Sequence, residues 1–106
     1  MKMRTQNPSP RTRQRFEAEL FRAILSLESV ADCRAFFTDL CTPAEMEALV
    51  DRWSVVGYLD EGLPYRKIHE LTGVSVTTIG RVARYLTNGN GGYRIALGRL
   101  QNNITS

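Results

Sequence analysis

No apolar run in the sequence approaches the ~18 residues needed to span a bilayer. The start, MKMRTQNPSPRTRQR, has no apolar core of the kind found in a secretory signal. A membrane partner is therefore not expected, and the chain is expected to stay in the cytoplasm. Histidine occurs once, at His69, and cysteine twice, at Cys33 and Cys41. With so few such groups there is no metal-ligand cluster and no Ser/His/Asp spacing, and the glycine-rich stretch Gly89-Asn90-Gly91-Gly92 lacks the Lys-Ser/Thr of a phosphate-cradling loop. No catalytic residue, metal or cofactor is called for, and the chain is not expected to be an enzyme. The two cysteines lack C-x-x-C spacing and read as reduced packing residues. Period-two alternation is also missing over any strand length, which leaves an all-α chain.

Acidic residues are scarce at both ends. Residues 1–15 carry five basic and no acidic side chains, residues 16–63 three basic against ten acidic, and residues 64–106 six basic against one. The formal net charge of +3 conceals this segregation. A polyanion is drawn to the ends and repelled by the middle, although basic ends also serve solubility alone. The organisation expected is a basic, flexible arm over 1–15 followed by one helical domain over 16–106.

Six helices fit the apolar spacing. The first begins after Ser9-Pro10 and is expected to run to about Glu28, with Phe16, Leu20, Ala23, Ile24 and Leu27 on one face, widened by Phe21 and Leu25. So broad a stripe on a small domain predicts burial against a second copy. A second helix, capped by Ser29, runs from Val30 to about Leu40. Thr42-Pro43-Ala44-Glu45 has the form of a capping box opening a third. Its apolar positions Met46, Leu49, Val50, Trp53, Val56 and Leu59 are expected to face the core, and Gly62 to end it. Short helices over 64–72 and 76–87 follow, then the glycine break and a last helix carrying Tyr93, Ala96, Leu97 and Leu100.

The segment YRKIHELTGVSVTTIGRVARYL, residues 65–86, matches a helix-turn-helix. Ile68 and Val74 are placed to pack under Ile79 and Val82, Gly73 permits the positive φ of a tight turn, and Ser75 caps the second helix. Thr77, Gly80, Arg81 and Arg84 lie on the opposite side of that helix from Ile79, Val82, Ala83 and Leu86. Double-stranded DNA is the partner such a face fits, and the DNA-facing set reads as Arg66, Lys67, Ser75, Val76, Thr77, Thr78, Gly80, Arg81 and Arg84. Val76 suits a thymine methyl, Thr77 a base-edge hydrogen bond, and Gly80 close approach of the helix. Arg66, Lys67 and Arg84 suit phosphates, aided by the amides near Ser75. His69 stands where a small residue is usual, which predicts a slightly looser corner. The alternatives are a helical protein-interaction module without DNA binding, or a repressor switched by a small amino-acid-like effector.

Together the stretches LCTPAEMEALVDRWSVVGYLDEG, KIHELTGVSVTTIGRV and RYLTNGNGGYRIAL resemble the Trp repressor superfamily, and within it the YerC/YecD type, over residues 16–101. The resemblance implies an intertwined all-helical homodimer with two reading heads, acting as a transcriptional repressor. It also implies a possible effector site in which Arg52 and Arg81 flank a ligand and Thr42 lies near its amino group. The family's small glycine and serine beside the ligand align with Val82 and Tyr85, which are expected to prefill that space, so tryptophan is not expected as a corepressor. Arg52 is otherwise expected to pair with a carboxylate of the acidic central stretch.

Overall fold

A computed structural model describes residues 7–105. Of the basic arm expected over 1–15, residues 1–6 lie outside the described residues, and Arg11, Arg13 and Arg15 already belong to a helix. Six α-helices follow one another: α1 Pro10–Leu25, α2 Val30–Leu40, α3 Pro43–Asp60, α4 Tyr65–Thr72, α5 Val76–Asn88 and α6 Gly92–Thr105. The all-α class is as the sequence indicates. The chain divides into two compact units, one ending at Cys41 and one beginning at Thr42.

In the first unit, Ser9 caps α1 by accepting from the Thr12 amide at 3.2 Å, ahead of Pro10 in the first turn. The helix stops at Leu25, short of Glu28. Ser26 donates its hydroxyl to the Ala23 carbonyl at 2.6 Å, and the Glu28 amide is already donating to Asp32 in the first turn of α2. Residues 26–29 are thus spent on the change of direction. Ser29 caps α2 through the Asp32 amide at 3.0 Å. Neither helix buries a single residue, and Leu25 is 82% exposed. Cys33 is exposed and Cys41 half-buried, so the cysteines are not the core residues expected, because this unit has no core of its own.

In the second unit, both arms of the capping box form: Thr42 Oγ1 accepts from the Glu45 amide at 3.2 Å, and Glu45 accepts from the Thr42 amide at 2.8 Å. The Thr42 amide, and after it the Thr42 hydroxyl, hold the Glu45 carboxyl below the usual glutamate range. At the far end of α3, Gly62 takes φ +81°, its amide donates to Leu59 and the Leu63 amide reaches back to Tyr58, which closes the helix and turns Leu63 onto the core.

That core is Val55 and Val56 of α3, Ile68 of α4, Val74 of the turn, and Ile79, Val82 and Leu86 of α5, skirted by Tyr58, Leu59, Leu63, Tyr93 and Leu97. The α3 stripe expected from period alone is only half correct. Val56 and Leu59 pack, but Leu49, Val50 and Trp53 are exposed, Trp53 by 40%, and the unanticipated Val55 is fully buried. Within this unit the α3 residues of the core and its skirt are Val55, Val56, Tyr58 and Leu59, all toward the C-terminal end of the helix; Leu49 and Val50 lie before them, and Trp53 sits at the edge beside the Tyr93 ring. An Arg94–Asp60 ion pair ties the start of α6 to the end of α3.

Candidate nucleic-acid interface

The corner between α4 and α5 is built by short-range hydrogen bonds over a shared apolar floor. Gly73 caps α4 with φ 74° and ψ 0°, a conformation that a side chain resists, and donates its amide to the His69 carbonyl at 2.8 Å. Thr72 donates its hydroxyl to Ile68 and accepts from the Val74 amide. The His69 ring spans the turn, Nδ1–H donating to the Val74 carbonyl at 2.7 Å. The expected looser corner is therefore a bridged one. Beneath it, Ile68, Val74, Ile79 and Val82 are buried together, as their spacing indicates.

Ser75 caps α5 by accepting from the Thr78 amide at 3.1 Å and donates its hydroxyl to Thr78 Oγ1 at 3.0 Å. Two members of the DNA-facing set, Ser75 and Thr78, thus have their hydroxyls engaged in holding the helix start. Val76, Thr77, Arg81 and Arg84 are exposed on α5, and Arg66 and Lys67 on the first turn of α4. Turning about 100° per residue, Thr77 and Arg84 occupy the centre of the exposed arc, Val76 and Gly80 one margin, Arg81 and Tyr85 the other. Among the described residues none of Arg66, Lys67, Arg81 and Arg84 is in an ion pair; the pairs are Arg15–Glu19 and Arg94–Asp60.

Gly80 is half-buried, and a Cβ there would meet Tyr65 Cε2 of α4 at 3.7 Å. The open side of this glycine is covered by a ring from the preceding helix. Nothing local in the sequence signals that contact, because Tyr65 and Gly80 meet only once the corner has closed.

Beyond the other margin of the arc lies a cleft of about 300 Å³ lined by Arg52, Arg81, Val82, Tyr85 and Tyr93. The structure brings Arg52 and Arg81 to one cleft, and adds Tyr93, whose ring lies 6.3 Å from that of Trp53. Thr42 does not line it: it is the N-cap of α3, ten residues and about 15 Å of helix before Arg52. Arg52 makes no ion pair with any described carboxylate, contrary to the pairing expected. The space is also not prefilled. Val82 turns into the core at 1% exposure, and Tyr85, 53% exposed, forms a wall rather than a plug.

An all-helical unit in which α4 and α5 form a capped corner over a common core, with a basic outer face on α5, defines a helix-turn-helix protein. Residues 17–101 match the Trp repressor protein family, and the chain belongs to it. It is 45% identical over 87 residues to protein YerC of Bacillus subtilis (strain 168), covering 82% of this chain and 84% of that one. Two crystal structures are similar to it: a TrpR-like protein from Eubacterium eligens, at 43% identity and a TM-score of 0.75 over 79% of this chain and 87% of that chain, and a candidate Trp repressor from Staphylococcus aureus, at 42% and 0.75 over 79% and 84%. The family is one of regulators. Among the described residues no helix is long and apolar enough to cross a membrane, and no cluster of His, Cys, Asp or Glu could hold a metal ion.

Proposed function

We propose that the protein is a sequence-specific double-stranded DNA-binding transcriptional regulator, a repressor, that reads the major groove through α5 as a homodimer. The observation that carries this reading is the outer face of α5: Thr77 and Arg84 project from the centre of a helix whose underside is buried, flanked by Arg66, Lys67 and Arg81, cations without an ion-pair partner among the described residues. Such a face offers hydrogen bonding toward base edges and positive charge toward phosphates, on a helix that cannot rotate without exposing Ile79, Val82 and Leu86. Membership of a regulator family supports it. Support for a second copy comes from the first unit, where Phe16, Leu20, Phe21 and Leu25 of α1 and Val30 and Leu40 of α2 are exposed large apolar side chains.

The test is selection of duplexes from a random pool followed by affinity measurements at several salt concentrations. A shared sequence among the selected duplexes, with affinity that falls as salt rises, is the expected result. Failure to enrich any sequence, with no salt-dependent duplex binding, sinks the reading and leaves a helical protein-interaction module. A small anionic effector is a second reading, favoured by the unpaired Arg52 and Arg81 facing one aromatic-walled cleft.

A further inference from the structure

We infer that Tyr65, the first residue of α4, is a specificity-determining residue of the reading surface and supplies, through its hydroxyl, the base-edge contact that Gly80 cannot make. The inference rests on the DNA-binding reading above and deepens it. Gly80 lies on the outward arc of α5, in line with Val76 and Arg84, where a side chain would ordinarily project toward a bound groove. It has none, and the place its Cβ would take is 3.7 Å from Tyr65 Cε2. Cε2 is bonded to the ring carbon that bears the hydroxyl, so the hydroxyl end of the ring is the part that lies against α5. Tyr65 is 43% exposed, and its hydroxyl makes no hydrogen bond among the described residues. A phenol held at this margin by packing, with donor and acceptor both free, matches what a major-groove base edge presents.

A tyrosine also loses little freedom when it is fixed, since its position depends on two side-chain torsions and the ring already rests on the helix. A Cβ at position 80 would rest in ordinary contact with the ring, so a larger, β-branched side chain there is the one expected to displace the hydroxyl. Tyr65 and Gly80 form one unit, drawn from two helices, at the edge of the surface whose centre is Thr77 and Arg84.

The experiment compares duplex selection by the full chain with that by Tyr65→Phe and Gly80→Val, each followed by affinity and salt-dependence measurements on the selected duplex and its single-base-pair variants. Tyr65→Phe keeps the ring and removes only the hydroxyl. It is expected to lose preference by about three- to tenfold at one or two adjacent base pairs, leaving the other positions and the salt slope unchanged. Gly80→Val is expected to alter preference at the same base pairs. Identical preferences for Tyr65→Phe and the unaltered protein overturn the inference. So does equal weakening on every duplex, which would place the hydroxyl on a phosphate. If the unaltered protein selects no duplex at all, the DNA-binding reading falls and this inference with it; if it selects and only the Tyr65→Phe result fails, the DNA-binding reading stands alone.

Discussion

Arg66 and Lys67, in the first turn of α4, are exposed cations without carboxylate partners among the described residues, and Thr77 stands at the centre of the exposed arc of α5. Their chemistry predicts two different failures. Arg66→Ala or Lys67→Ala should weaken binding to all duplexes and lower the salt slope by about one for each phosphate left without its cation. Thr77→Ala should change which base pair is preferred and leave that slope alone; an unchanged selection profile would show that the reading face is misplaced. A third residue-scale prediction concerns Glu45, whose carboxyl is held below the usual glutamate range by hydrogen bonds from Thr42. A carboxyl with a lowered folded-state pKa contributes stability that is present above the ordinary glutamate pKa and is lost as pH falls through the lowered value. Glu45→Gln should therefore unfold at lower temperature than the unaltered protein at neutral pH, with the gap narrowing on acidification through that window. A gap independent of pH would show that the charge is immaterial to the cap.

At the scale of elements, the corner depends on one backbone conformation more than on space. Nothing lies within 4 Å of a Cβ built on Gly73, yet its φ of +74° is one that L side chains resist. Gly73→Ala should therefore cost about 1–2 kcal/mol without a steric clash, seen as a thermal midpoint a few degrees lower with helical content intact. The underside of α5 is a different case. Ile79 is fully buried among residues of α3, α4 and the turn, so Ile79→Ala leaves a cavity and should cost about 2–5 kcal/mol, measurable by denaturant unfolding. If Gly73→Ala costs nothing while Ile79→Ala does, the corner is held by packing alone. Both elements were legible in the residues: glycine at the turn, a capping serine, and apolar positions at helical spacing each encode a local rule. The Tyr65–Gly80 contact and the His69 bridge to Val74 were not, since each joins residues whose proximity depends on how the corner closes.

The whole molecule carries more apolar surface than one chain hides. Among the described residues seven form a buried core, all in the second unit; α1 and α2 bury none of their own residues, and Trp53, Val50 and Leu49 are exposed on α3. Sedimentation at micromolar concentration should find two chains per particle; a stable, well-folded single chain would remove the case for an interlocked pair. The cleft beside α5 bears on regulation. Its walls include Tyr85 and Tyr93, and Tyr85 stands where the family resemblance implies a small residue beside a ligand. Duplex affinity with and without millimolar tryptophan tests this cleft: tightening by tenfold or more would assign Arg52 and Arg81 to a working ligand clamp, and no change would leave Tyr85 as a wall that narrows the cleft against an indole.

Six helices, their caps, the stops at Gly62 and Gly73, and the sidedness of α5 were determined by the sequence itself, because each follows from residues within one or two helical turns of one another. Family membership was equally visible in continuous stretches of residues 16–101. Only the tertiary structure decided which part of each stripe is covered. Periodicity says that Trp53 and Val56 share a broad face, but within the second unit Val56 is fully buried in the core while Trp53, one turn earlier, lies at its edge beside Tyr93 and is 40% exposed. The same limit governed the cleft: Val82 and Tyr85 were identified as its occupants from alignment, whereas their side chains turn to the core and to the wall. Local sequence sets which residues share a face; the direction from which the next helix arrives sets what that face touches.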